Sequence, residues 1–165
     1  MDKIATIIDQ DNIDNYGDFL SFQIEGIKLD HILDHYYPGN MYVGLVPTLL
    51  FWMEQDKERE IVWTRIKPNI GMKTICPILM CPDDCDFSCT IIVAEIENTG
   101  KTIRWNKVGI DETNEFDAEM IGSKVKWFDR ISPMEFYINE YDAVIEDFDS
   151  QFQIDKNKWE KEKKN

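Results

Sequence analysis

Basic side chains are scarce in this sequence relative to their opposites: 18 Lys and Arg face 32 Asp and Glu, a formal net charge of −14. That shortage, with a pI near 4.5, argues against direct contact with nucleic acid, because phosphate contacts need clustered Lys and Arg. It disfavours anionic membrane surfaces for the same reason. Long apolar runs are missing too, and none approaches the roughly 20 residues of a membrane helix. There is no internal repeat, low-complexity block or Gly/Ser linker. No Gly-rich phosphate loop, nucleophile elbow or dinucleotide fingerprint is present. A catalytic thiol would have only His31 and His35 to serve as its base. Binding is therefore favoured over chemistry; no catalytic residue and no cofactor is expected.

What is present is enough for a core. With 165 residues, 43% hydrophobic and 12% aromatic, the chain reads as one domain over residues 1–155. A charged tail, 156–165, is expected to fray around its one large apolar residue, Trp159. The start, Met1-Asp2-Lys3-Ile4, lacks the charged-then-apolar layout of a secretory signal, so a soluble cytoplasmic protein is the expectation.

The expected fold class is α+β, an antiparallel sheet with helices packed on it. Residues 4–8 and 19–24 read as short strands around a polar loop, 9–18. Leu29, Ile32, Leu33 and Tyr36 keep the i, i+3, i+4, i+7 spacing of an amphipathic helix that stops before Pro38-Gly39. Val46, Leu49, Leu50 and Met53 repeat that spacing, with Pro47 suited to a first turn, and the polar stretch 54–60 ends this second helix. Residues 73–80 make a strand that Pro77 confines to an edge or a bulge. Residues 88–97 are apolar on both faces, as in a central strand. A hairpin turn at Asn98-Thr-Gly-Lys101 returns the chain through 102–110, which carries Trp105, and 124–128 adds a further strand. Ser132-Pro133-Met134-Glu135 reads as the capping box of a last helix with Tyr137, Tyr141, Val144, Ile145, Phe148 and Phe152 on one face.

Acid is concentrated near that helix. Residues 111–150 hold twelve carboxylates against Lys124, Lys126 and Arg130. Asp142 and Glu146 form an i, i+4 like-charge pair, costing about 0.2–0.5 kcal/mol in an isolated helix, and acids late in a helix oppose its dipole. A solvated face accommodates both effects, yet nothing in the fold requires them. The alternative is a docking surface that raises the association rate of a basic protein 10- to 1,000-fold. Its expected residues are Asp111, Glu112, Glu115, Asp117 and Glu119 on a loop, with Glu135, Asp142, Glu146 and Asp149 on the helix.

Cys76, Cys81, Cys85 and Cys89 fall within fourteen residues. Zinc knuckles place paired cysteines two to four apart and separate the pairs; intervals of five, four and four in one run fit poorly. A packed strand–turn–strand corner, with Pro82-Asp83-Asp84 as the turn, is expected, and a disulfide is disfavoured in a reducing compartment. His31 and His35 stand i, i+4 but off the apolar stripe, as surface histidines.

Cys81-Pro-Asp-Asp, then Asp86-Phe-Ser-Cys89-Thr, then a hairpin carrying Trp105 resembles a pattern in small bacterial proteins, among them immunity proteins of contact-dependent and polymorphic toxin systems. The likeness covers residues 70–110. It implies a cytosolic inhibitor that neutralises a basic toxin domain, such as a nuclease, by direct binding. Two other readings stand beside it: a metal-binding module or small enzyme using the Cys76–Cys89 segment, and an acidic nucleic-acid mimic.

Overall fold

Two antiparallel sheets and three α-helices make up the architecture in the computed structural model, which describes residues 1–10 and 17–164. The α+β class expected from the sequence is the class found. Residues 11–16 of the expected 9–18 loop lie outside the described residues.

The smaller sheet comes first. β1 (Ile4–Asp9) pairs with β2 (Phe19–Ile24), which pairs with β3 (Ile27–Lys28). α1 (Leu29–Tyr36) follows at once and buries Leu29 and Leu33, as its apolar spacing requires. The larger sheet runs β4 (Val46–Pro47), β5 (Lys73–Met80), β6 (Ile91–Asn98), β7 (Thr102–Asp111), β8 (Val125–Trp127). β9 (Met134–Tyr137) joins β7 on the same edge as β8 but at the other end. β6 is the buried centre, Ile91 to Ala94 having almost no exposure. Pro77 sits at a bulge, where the β5–β6 register shifts between Pro77 and Leu79. Gly100 turns the β6–β7 hairpin at φ +89°. Gly109 lets β8 approach: a Cβ there would stand 2.6 Å from the Lys126 carbonyl.

Two expected helices are placed differently. Residues 46–53 are not helical: Val46–Pro47 pairs with Leu79 and Met80, and Thr48 donates from its amide to Ile78 and from its hydroxyl to Pro77. Leu50 then bonds back to Pro47 and Met53 to Leu50. These consecutive three-residue turns put Leu49, Leu50 and Met53 in the core and imitate helical spacing without a helix. The helix lies just beyond, α2 (Asp56–Arg65), in the polar stretch read as its end. Only Ile61 and Val62 of α2 are fully buried, so its periodicity is faint.

The second correction concerns Ser132-Pro133-Met134-Glu135. Met134 and Phe136 are buried while Tyr137 points out, the period of a strand rather than a helix. The Glu135 amide and carbonyl both bond to Asp2. The helix α3 (Ile138–Lys163) begins after this strand, with no side-chain cap. It runs through the expected tail, and Trp159 lies 6.1 Å from Phe51 between ring centres.

The core closes on Trp105. Its ring meets Phe22 of the small sheet, Phe136 of β9 and Tyr141 of α3 edge-on, at 5.8, 5.5 and 6.5 Å. The indole donates to the Tyr141 hydroxyl, which donates to the Ile66 carbonyl.

Candidate functional site

The acids of 111–119 form a loop whose base is tied from within. Asp111, at the end of β7, accepts from the Thr113 hydroxyl at 2.7 Å and the Gly122 amide at 2.9 Å. Asp117 accepts from the Glu119 amide and opens the short 3-10 helix Ala118–Met120. Arg65 of α2 clamps the far side, donating to the carbonyls of Ile75, Glu119 and Ile121. Glu119 takes Lys57 at 2.7 Å and Arg65 at 3.6 Å; the Lys57 hydrogen bond and charge hold its carboxyl below the usual range.

Three of the five loop acids therefore shape the loop. Glu112 and Glu115 pair with no cation among the described residues and are exposed. Between Glu115 and Asp117 stands Phe116, its ring fully in solvent. Beside it opens a cleft of about 400 Å³, lined by Glu58, Phe87, Ser88, Asp111 and Ile121 among others. Glu58 accepts from the Phe87 amide, and burial raises its carboxyl above the usual range against that bond. The cleft thus joins apolar walls to carboxylates.

The remaining expected residues lie elsewhere. Glu135, on β9, accepts from the Thr102 hydroxyl at 2.7 Å and has Arg104 at 3.8 Å. Asp142 pairs with Lys67 at 2.7 Å. Glu146 and Asp149 are exposed and pair with no cation among the described residues. α2 stands between these helix acids and the loop: Lys57 and Arg65 turn to Glu119, while Trp63 lies against Phe152 of α3. A helix is about 10 Å across, so loop and helix present two acidic areas rather than one.

Sequence reasoning did not single out Phe116. Its signal is an aromatic residue set among acids in the run Glu112-Thr-Asn-Glu115-Phe116-Asp117.

The cysteines divide into two kinds. Cys76 and Cys85 are buried. Burial drives the Cys76 thiol far above its ordinary range, and burial with Glu54, Cys81, Asp86 and Asp84 nearby pushes Cys85 up to about 11. Cys81 is half-buried and Cys89 exposed. Their sulfurs and a carboxylate oxygen of Asp84 all lie within 4.8 Å of one another. His31 and His35 are exposed on α1.

Asp30 is a buried acid outside these groups, 3% exposed. One oxygen accepts from the Gly44 amide; the other finds no partner among the described residues. Burial raises its pKa, opposed by the Gly44 bond and by His31 and Lys28, and aided by Asp9. The fold then holds this proton more tightly than the unfolded chain does. Asp30 contributes most at low pH, and that contribution is lost as pH rises from about 4 through the raised folded value. Urea midpoints measured from acid to neutral pH should accordingly show a shallower decline, or a steeper rise, for Asp30→Asn than for wild type. Parallel curves would mean that Asp30 titrates as an ordinary carboxyl.

Among the described residues, no helix is long and apolar enough to cross a membrane. Compared with protein-family models, with curated proteins and with solved structures, the chain matches none.

Proposed function

We propose that this chain is an acidic binding protein that docks a basic protein through the 111–119 loop. The observation that carries the reading is Phe116. Fully exposed apolar rings are unfavourable in water, and this one is held out by a loop that Asp111, Asp117 and Arg65 brace from beneath. Glu112 and Glu115 flank it without internal partners among the described residues. An aromatic anchor flanked by two free carboxylates matches the usual division of labour at interfaces: the aromatic side chain supplies affinity, the charges supply steering and choice of partner.

The partner class we infer is a basic toxin domain, such as a nuclease, and the role is that of an immunity protein acting by direct binding. The resemblance of residues 70–110 to immunity proteins supports that choice, as does the net charge of −14. Glu146 and Asp149 would extend the field seen by an approaching basic surface without touching the anchor.

The test is paired affinity capture from the source cells at low and moderate salt, using wild type and Glu112→Lys/Glu115→Lys as baits. The expected result is one basic protein, retained by wild type, released by salt and absent from the variant. With that protein purified, its association rate with the variant should fall by about 10-fold or more. Identical proteins on both columns would remove the loop from consideration. DNA competing for the partner's bound surface would identify a nuclease or other DNA-binding target.

A further inference from the structure

The hairpin between β5 and β6 brings together what the spacing of its cysteines conceals. Met80 pairs with Ile91, so the strands close immediately below residues 81–90. Cys81 is the first residue past the close and Cys89 stands two before the other strand. The loop is wound rather than open. The Cys85 amide bonds back to the Cys81 carbonyl at 3.0 Å, with Cys85 itself at φ +51°. Asp86 accepts from both the amide and the hydroxyl of Ser88. The first turn carries Asp84 over Cys81; the second swings Cys89 back to meet them. In sequence these ligands are three and five residues apart, and in space their donor atoms form a triangle within 4.8 Å.

We propose that Cys81, Asp84 and Cys89 form a binding site for a thiophilic divalent cation, zinc foremost, with a fourth position open to water. Two thiolates and a carboxylate are a donor set that selects zinc over magnesium or calcium, which favour oxygen alone. Zn–S bonds of about 2.3 Å place two thiolates of a tetrahedral site roughly 3.8 Å apart. Side chains already within 4.8 Å reach that separation by small rotations, and Cys89 and Asp84 are exposed and free to make them. Three protein ligands with one vacant position are the arrangement of reactive rather than purely structural zinc sites.

The other two cysteines are set apart by geometry. Cys76 donates into the core, to Val62 and Pro77 carbonyls, and Cys85 donates to the Pro82 carbonyl at 3.1 Å. This assignment also does not depend on the acidic loop, since it shares no residue with the docking surface.

The full chain, purified without added metal and kept reduced with a phosphine, is analysed for zinc by mass spectrometry and titrated with Co2+. About one equivalent of metal per chain is expected, with a thiolate-to-cobalt charge-transfer band of two-thiolate intensity and the strong visible bands of a tetrahedral site. Cys81→Ser and Cys89→Ser should each remove most of that band. Cys85→Ser should keep it, and Asp84→Asn should weaken binding at least about 10-fold, the scale on which even outer contacts act. Asp84 is exposed, so its variant retains the fold, which circular dichroism checks. The proposal falls if the reduced protein takes up no zinc or cobalt, or if binding survives undiminished in the Cys81→Ser/Cys89→Ser double variant. It falls equally if peptide mapping finds Cys81 and Cys89 joined in a disulfide and the freed thiols then take up no metal.

Discussion

Replacing Trp105 by alanine is expected to destabilise the fold by about 3–5 kcal/mol, the range for truncating a fully buried large aromatic. Against a total of about 5–15 kcal/mol for a domain, this is enough to unfold a substantial fraction of the protein under mild stress. The reason lies in what meets at the indole. Phe22 arrives from the small sheet, Phe136 from β9 and Tyr141 from α3, so the ring ties the separately bonded small sheet and α3 to the β7–β9 pair. Its N–H also supports the Tyr141 hydroxyl, which in turn holds the Ile66 carbonyl at the end of α2. Truncation opens a cavity at the junction and removes that donor. Urea unfolding followed by circular dichroism measures the loss. At slopes of about 1–3 kcal/mol per molar urea, the midpoint should drop by at least about 1 M with little change in slope. A shift within about 0.3 M would show that the two sheets hold together without the ring.

Phe116→Ala carries the largest expected effect on binding. The ring makes no packing contribution of its own, so stability should stay within about 0.5 kcal/mol of wild type. Affinity for the basic partner should fall by about 2 kcal/mol or more, roughly 30-fold, because central aromatic anchors dominate interface energies. The loss should appear in the dissociation rate, whereas Glu112→Lys/Glu115→Lys should act on association and on salt dependence. Surface plasmon resonance against the captured partner separates the two. Equal dissociation rates for wild type and Phe116→Ala would exclude the ring as the anchor and, with it, the loop as the centre of the interface.

Several parts of the fold were legible from neighbouring residues alone. The β6–β7 hairpin follows from Asn98-Thr-Gly-Lys101 between apolar strands, and Gly100 takes the positive φ that its position demands. α1 follows from Leu29 and Leu33 on one stripe and from Pro38-Gly39 after it. Residues 46–53 were not legible, because successive three-residue turns bury Leu49, Leu50 and Met53 at the spacing a helix would use. Met134–Tyr137 was misread for a related reason. Ser132-Pro133-Met134-Glu135 satisfies the local pattern of a helix start, but pairing with Thr102–Trp105 and with Asp2 offers its backbone more bonds as a strand.

The functional candidates divide along the same line. By itself the sequence determined that the chain is acidic, that acid gathers in 111–150, and that four cysteines share one short segment, because composition and order need no folding to be read. It also determined the α+β class, because strand and helix periods are local properties. Only the tertiary structure decided which carboxylates are occupied. Asp117 accepts from the Glu119 amide two residues on, but Asp111, Glu119, Glu135 and Asp142 accept bonds from groups brought near by packing, three of them from residues more than thirty positions away. Only the tertiary structure placed Phe116 in solvent over a cleft and Asp84 between Cys81 and Cys89. Register and loop winding set those distances, and both result from the cooperative burial of the whole core rather than from the residues that end up side by side.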